Sequence, residues 1–317
     1  MRVSVVMPAY NAAQFISQAI ESVLSQTCRD LELIVVNDGS TDGTLEIAER
    51  YAQLDGRIRV FTQPNAGTAP TLNRGLDLAS DEWVFIMHAD DRMQPNRIER
   101  QLAFIAEHPE LAVASSLVRH IDRNNRVIGK DNSKLFTYDS INKLVSANEL
   151  IGFNHPAVAL RKSAVQAVGG YRQEFWPAED IDLWNRLVEK GYKVLVQPES
   201  LLDYRMHGNS ASISRARLTC TKVRWLKDCM VRRRSGKPEL DLKSFLLIQR
   251  STPLLTRLNR ERKDFAKIFY KAAVSHYAEK EYLLLSFKLL VAVALQPWLV
   301  LNQVISKLAI GRQPGEV

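Results

Sequence analysis

Four short apolar runs, at residues 3–7, 31–36, 58–61 and 83–87, alternate with three segments of helical periodicity at 12–26, 41–54 and 68–79. The runs are rich in β-branched and aromatic residues, as strands are. The helical segments space their apolar residues three and four apart, as with Phe15, Ile16, Ala19, Ile20 and Val23. Strand and helix in alternation demand crossover connections and hence a parallel sheet. Functional groups in such sheets gather at the carboxyl ends of the strands. Four polar loops then share one sheet edge: Pro8-Ala9-Tyr10-Asn11, Asn37 to Asp42, Gln63 to Gly67, and His88-Ala89-Asp90-Asp91.

The alternation continues less regularly. A helix is expected over 95–107, a strand over 111–118, no assignment over 119–150, a strand over 157–160, a helix over 163–168 and a helix over 178–189. Beyond Tyr204 the pattern is of basic helices broken at Gly236, Pro238 and Pro253. Of the 317 residues, 46% are hydrophobic and 25% charged, which excludes a disordered or collagen-like chain. Three cysteines with no CxxC fit a reducing compartment. The first apolar run stops at Pro8, too soon for a signal peptide, so a cytoplasmic location is expected. The net charge of +8 hides a segregation: residues 1–214 carry 22 basic and 27 acidic groups, and residues 215–271 carry 17 and 5.

Four segments carry groups suited to chemistry. Asp38, in Asn37-Asp38-Gly39-Ser40-Thr41-Asp42, reads either as a turn former or as a carboxylate standing free at a strand tip to accept a base N–H; the capping role falls to Ser40, Thr41 or Asp42. In His88-Ala89-Asp90-Asp91, two adjacent carboxylates suit a hard divalent cation such as Mg²⁺ or Mn²⁺. The bland alternative is that Asp91 caps the helix near Pro95 and His88 merely packs. In Trp176-Pro177-Ala178-Glu179-Asp180-Ile181-Asp182, acidic groups between tryptophans are either a partly buried proton acceptor or a set that complements a helix dipole. Tyr204-Arg205-Met206-His207-Gly208-Asn209-Ser210 reads as a surface loop or as a phosphate or metal contact.

Taken together, VSVVMPAYN, ELIVVNDGSTDGT, NAGTAPTLNRG, WVFIMHADD, GGYRQEFWPAEDIDLWNRLVEKGYKV and YRMHGNSAS resemble a family 2 glycosyltransferase in order and spacing over residues 1–214. The resemblance implies the GT-A fold, an α/β Rossmann-like mixed, mainly parallel sheet, with a nucleotide-binding half at 1–118 and an acceptor-side half at 119–214; the basic, amphipathic helical pattern beyond it is expected to form a C-terminal extension at 215–317. It implies an inverting enzyme that moves a sugar from a nucleotide-diphospho-sugar, UDP- or dTDP-linked, to a saccharide or lipid-linked acceptor in surface polysaccharide or glycolipid synthesis. Carried over by position, Pro8, Ala9 and Tyr10 line the nucleoside pocket, Asp38 binds the base, and Asn65, Gly67, Asn73 and Ala89 contribute to the donor site. Asp90 matches the second Asp of the metal motif, Asp180 the general base with Glu179 beside it, and His207 a residue near the diphosphate. The metal set is then Asp90, His88 and His207, for Mn²⁺ or Mg²⁺. Two positions depart from the pattern: His88 replaces the first metal-motif Asp, and Leu72 stands where many members have Arg.

The missing first Asp motivates one alternative, a catalytically inactive sugar-nucleotide-binding protein. Arg232-Arg233-Arg234 motivates a second, a nucleic-acid binder, but no nucleic-acid module accompanies it, and no nucleic-acid partner is expected. The apolar stretch 283–301 is interrupted by Ser286, Lys288, Gln296 and Pro297, which makes it marginal as a span. With the basic residues around it, the segment 215–305 reads either as a peripheral anchor on the anionic cytoplasmic face of a membrane or as a face packed on the catalytic domain or a second copy of the chain.

Overall fold

The computed structural model describes residues 1–131, 137–207 and 214–301. Gly208 to Ser212 of the last motif and residues 302–305 of the proposed anchor lie outside the described residues. The first third folds as β1 (Val3–Ala9), α1 (Ile16–Leu24), β2 (Leu31–Asn37), α2 (Thr44–Leu54), β3 (Ile58–Thr62), α3 (Thr68–Leu78) and β4 (Trp83–Ile86). β1 pairs in parallel with β2 and β4, and β2 with β3. Val5 sits between Leu33 and Phe85 in register. Helices cover both faces here, so β2 is buried along its whole length and reads as a continuous apolar run instead of an alternating one. Gly75 lets α3 lie directly on β1, since a Cβ there would fall 2.3 Å from Cγ1 of Val6.

Two helices begin later than their periodicity suggests because the preceding loops bond to each other. Asn11 N–H donates to Ser40 Oγ, Thr41 N–H to Asn11 Oδ1, and Asp42 accepts from the amides of Ala13 and Thr44. The polar tips of β1 and β2 are thereby knitted into one surface.

Then follow β5 (Arg92–Met93), α4 (Arg97–Glu107), β6 (Leu111–Ile121), β7 (Val127–Lys130), α5 (Tyr138–Ser146), β8 (Ala159–Arg161), α6 (Lys162–Ala167), α7 (Glu179–Glu189) and β9 (Lys193–Arg205). The unassigned stretch 119–150 thus holds the end of β6, a short strand and α5, which Thr137 and Ser140 cap reciprocally. The strand expected at 157–160 is instead a 3-10 turn at His155–Ala157 followed by β8. The sheet order is β3-β2-β1-β4-β8-β6-β9-β5, with β7 off this path. β8 is antiparallel to both neighbours and β9 parallel to β6, so the sheet is mixed and its parallel half carries the first four loops.

The chain divides into two compact units, residues 1–121 with 129–205, and residues 122–128 with 206–317. In the second, α8 (Ala216–Arg234), α9 (Leu242–Ser251), α10 (Leu254–Ala278) and α11 (Tyr282–Leu295) are helical. The expected 283–301 helix is cut at Gln296-Pro297, as a proline requires. Lys288 lies over the Phe269 ring and Arg262 donates to Leu295 O, joining α10 and α11 as a hairpin. Of the aromatic side chains of this basic segment, Trp225 and Phe245 are buried and Phe265 is exposed. Among the described residues, no helix is long and apolar enough to cross a membrane.

Candidate active site

Asp38 is not free at the strand tip. It is 4% exposed; its Oδ1 accepts from Gln63 Nε2 at 2.8 Å and Ala66 N–H at 2.9 Å, and its Oδ2 from Gly67 N–H at 2.9 Å. The cause is topological: β2 and β3 end side by side, and the loop after β3 folds back over the tip of β2. That return needs Gly39 and Gly67, both at positive φ; a Cβ on Gly39 would lie 2.8 Å from Asn65 N. Pro8 and Ala9 end β1 and Tyr10 follows, exposed; Asn65, in the loop after β3, is exposed too. Asn73 faces inward instead. Its Oδ1 accepts from Tyr171 N–H and its Nδ2 donates to Tyr171 O, both at 2.8 Å, so it fastens α3 to the Gly169-Gly170-Tyr171 turn. Leu72 beside it is fully buried in the core.

At the end of β4, His88, Asp90 and Asp91 each bring one ligand atom within 4.8 Å of the others, around a buried Ala89. The turn is held by Arg205, at the end of β9. Its backbone N–H donates to Asp91 Oδ1 at 2.8 Å and its Nε to Asp90 O at 2.7 Å. Asp91 does not cap α4, which begins beyond Asn96 with its carboxylate turned toward Arg205. Burial, with Asp90 adding to it, holds Asp91 well above the usual carboxylate range, against the pull of Arg205 and Arg97. Its Oδ2 is buried without a hydrogen-bond partner. A buried carboxylate oxygen without a donor, in a cluster of two carboxylates and an imidazole, fits a divalent cation. Buried Arg97, pushed down to about 9 by desolvation, spends its guanidinium on the carbonyls of Ile86, Pro156 and Val158 and on Gln101. His207 belongs to the second unit, and the ligand grouping contains Asp91 in its place.

The carboxylates of α7 divide by environment. Asp182, fully buried, is a structural anchor bound by Arg172 and Arg186. Asp180 is partly exposed in the first turn. Glu179 is buried, its Oε2 lacks a hydrogen-bond partner, and desolvation followed by repulsion from Asp180 pushes its pKa up to about 8. At neutral pH Glu179 therefore keeps its proton.

Between the two sites runs a chain that the sequence pattern did not disclose. His88 Nε2 lies 2.9 Å from His155 Nδ1, and His155 Nε2 lies 2.7 Å from Tyr171 Oη. His155 and Tyr171 are buried, and burial, with the α7 carboxyl groups adding to it, holds the tyrosine well above its ordinary range. Burial lowers the pKa of both histidines, so both rings are neutral. The only local signal was a His before Pro156 in an apolar stretch, and nothing in it indicates a partner 67 residues away.

A parallel half-sheet with knitted polar tips, continued by an antiparallel strand into a second half that supplies the acidic helix, is the architecture of a GT-A nucleotide-sugar transferase. The chain belongs to glycosyl transferase family 2, whose model matches residues 4–169. It is 30% identical over 205 residues to the amylovoran biosynthesis glycosyltransferase AmsE of Erwinia amylovora, covering 64% of this chain and 75% of that one. Among solved structures it resembles S. aureus TarS 1-349 in complex with UDP-GlcNAc, with a TM-score of 0.55 and 16% identity over 91% of this chain and 89% of the other. It likewise resembles the mannosyltransferase PcManGT from Pyrobaculum calidifontis in complex with GDP-Man and Mn²⁺, with a TM-score of 0.56 and 18% identity over 98% and 80%.

Proposed function

We propose that this chain transfers a sugar from a nucleotide-diphospho-sugar, UDP- or dTDP-linked, to an acceptor hydroxyl with inversion, in the synthesis of a surface polysaccharide or glycolipid. The observation that carries the reading is one compact unit holding both the Glu179–Asp180 carboxylate pair at the start of α7 and a His–Asp–Asp cluster suited to a cation. Asp180, in the first turn of α7 where the helix N-terminus favours negative charge, takes the acceptor proton. Glu179 stays protonated, which removes a second charge that would repel the incoming oxygen's electron density. The loop pinned by Asp38 forms the donor pocket with Pro8, Ala9 and Tyr10, and the single bond at Oδ2 leaves that oxygen able to accept a base N–H. His88, Asp90 and Asp91 would hold Mn²⁺ or Mg²⁺. Such an ion, when bound, supplies positive charge for the departing diphosphate. The donors bound in TarS and PcManGT and the biosynthetic name of AmsE support this reading.

Purified protein should turn over a UDP- or dTDP-sugar, and Asp180→Asn should lower kcat about 10²- to 10⁴-fold with donor affinity retained. Near wild-type transfer by Asp180→Asn rejects the base assignment; donor binding without any turnover by the wild type favours an inactive binding protein. Full transfer in the presence of a chelator rejects the metal.

The catalytic part is proposed as residues 1–214 and a placement segment as 215–317. Exposed Leu283, Phe287, Leu290 and Trp298 beside the basic stretch 215–271 support a docking role on the anionic cytoplasmic face of a membrane. Each Lys or Arg near such a surface contributes about 1 kcal/mol. Flotation of the full chain with anionic vesicles is expected to weaken steeply with salt and to be absent with neutral vesicles. Equal flotation on both rejects the electrostatic part, and no flotation rejects the anchor.

A further inference from the structure

The replacement of an expected aspartate by His88 changes what the cluster must do to hold an ion. An aspartate arrives with two equivalent oxygens, whereas an imidazole ligates only through a nitrogen that carries no proton. Its competence is therefore decided by the hydrogen bond at the other nitrogen. Nε2 of His88 is committed to His155 Nδ1, and it is the only hydrogen bond of this ring among the described residues. His155 is committed in turn to Tyr171 through Nε2.

The chain His88–His155–Tyr171 has two consistent directions. In one, Tyr171 donates to His155, His155 donates to His88, and the leftover proton of His88 sits on Nδ1, closing that nitrogen to an ion. In the other, His88 donates from Nε2 to His155 Nδ1, His155 donates from Nε2 to Tyr171 Oη, and Nδ1 of His88 presents a lone pair. The Trp184 and Tyr171 rings against His155, at centroid distances of 6.0 and 5.4 Å, restrain its ring from turning over and swapping its nitrogens. Asn73 fixes the backbone of Tyr171 from both sides. The ring orientations that align the relay are thus set by packing that lies outside the cluster.

We propose that His155 and Tyr171 are positioning residues that hold His88 as the Nε2–H tautomer, making its Nδ1 the third ligand beside Asp90 and Asp91 in a site that prefers Mn²⁺ to Mg²⁺. One nitrogen and two carboxylates suit a borderline ion, and Mg²⁺ demands oxygen. The inference refines the ion site of the proposed transferase. It is tested with metal alone and no sugar nucleotide, so loss of Mn²⁺ selectivity and loss of transfer are separate outcomes.

Mn²⁺ binding to the full-length protein is measured by the loss of the free-ion electron paramagnetic resonance signal, with Mg²⁺ as competitor. His155→Phe is expected to weaken Mn²⁺ about 10- to 100-fold, the usual consequence of removing a histidine's outer partner. His155→Gln, whose side-chain carbonyl can accept from His88, should recover part of that loss. Tyr171→Phe, which deletes one oxygen from an otherwise preserved ring, should weaken Mn²⁺ severalfold. His88→Asp should reverse the preference toward Mg²⁺ and make the site indifferent to Tyr171→Phe. Nitrogen NMR of the labelled histidines should show His88 protonated on Nε2. Mn²⁺ affinity unchanged in Tyr171→Phe and His155→Phe, an undiminished effect of Tyr171→Phe in the His88→Asp background, or a His88 proton found on Nδ1 with Mn²⁺ bound would each overturn the assignment.

Discussion

Replacing Glu179 by Gln probes the proton that this buried side chain keeps. The side chain is buried, and its pKa is raised from 4.5 to about 8 by desolvation and by Asp180. Below pH 4.5 the folded and unfolded states both hold the proton, and the site costs nothing. Between pH 4.5 and 8 the folded state keeps a proton that the unfolded state has released, so stability falls as pH rises, at about 1.4 kcal/mol per unit. Above pH 8 the loss levels off at roughly 5 kcal/mol, or about half that where the two carboxylates divide the shift between them. Gln reproduces the shape of the protonated acid and cannot ionise. Its extra buried donor costs about 1–3 kcal/mol at every pH, an offset without slope. The variant should therefore start near or below the wild type at pH 5 and overtake it by pH 8 to 9. At roughly 2–4 °C per kcal/mol, the difference in Tm should move by about 5–20 °C across that interval. Thermal unfolding followed by circular dichroism at five pH values measures it. Parallel Tm profiles for the two proteins would refute the reasoning, because they require Glu179 to ionise equally in folded and unfolded chains.

Asp38→Asn retains one acceptor oxygen but sets an NH₂ group against a donor N–H of the loop after β3. It should cost about 2 kcal/mol by urea denaturation and loosen UDP binding with it; unchanged stability would show that the loop does not depend on the carboxylate. Asp182→Ala leaves Arg172 and Arg186 without their shared carboxylate. The expected loss is about 3–5 kcal/mol, read from the urea midpoint, and a loss under 1 kcal/mol would mean that solvent reaches the arginines.

The fold was legible where neighbours in sequence are neighbours in space. β1 to β4 and α1 to α3 follow from runs and periods because each crossover covers the strand it leaves, and errors there amount to the few residues by which loops delay a helix. The stretch 119–150 resisted for the opposite reason: α5 has only Ile141 fully buried and takes its start from a reciprocal Thr137–Ser140 cap without a strong apolar stripe. β8 resisted because Pro156 and a 3-10 turn use up half of what looks like a strand.

The site divides along the same line. Asp90, Asp180 and Glu179 could be named because their neighbours in the chain are informative: paired carboxylates after a strand, or acids between tryptophans. What those residues are made to do depends on groups far away in the chain. Asp38 points to the loop after β3, Asn73 to Tyr171, Asp91 to Arg205, and His88 to His155. None of these pairings leaves a local mark, since hydrogen bonding constrains the two ends jointly and either end alone reads as an ordinary loop polar group. The free Asp38 expected from its turn was mistaken for this reason: a carboxylate at the tip of a central strand has a neighbouring strand's loop within reach, and three donors there outweigh solvation. By the same logic, the substitution of His for Asp at position 88 looks like a defect only in one dimension. In the folded chain Nε2 of that histidine is bonded to buried His155, which is bonded in turn to Tyr171, so the ring at position 88 is held by groups that the local sequence does not disclose.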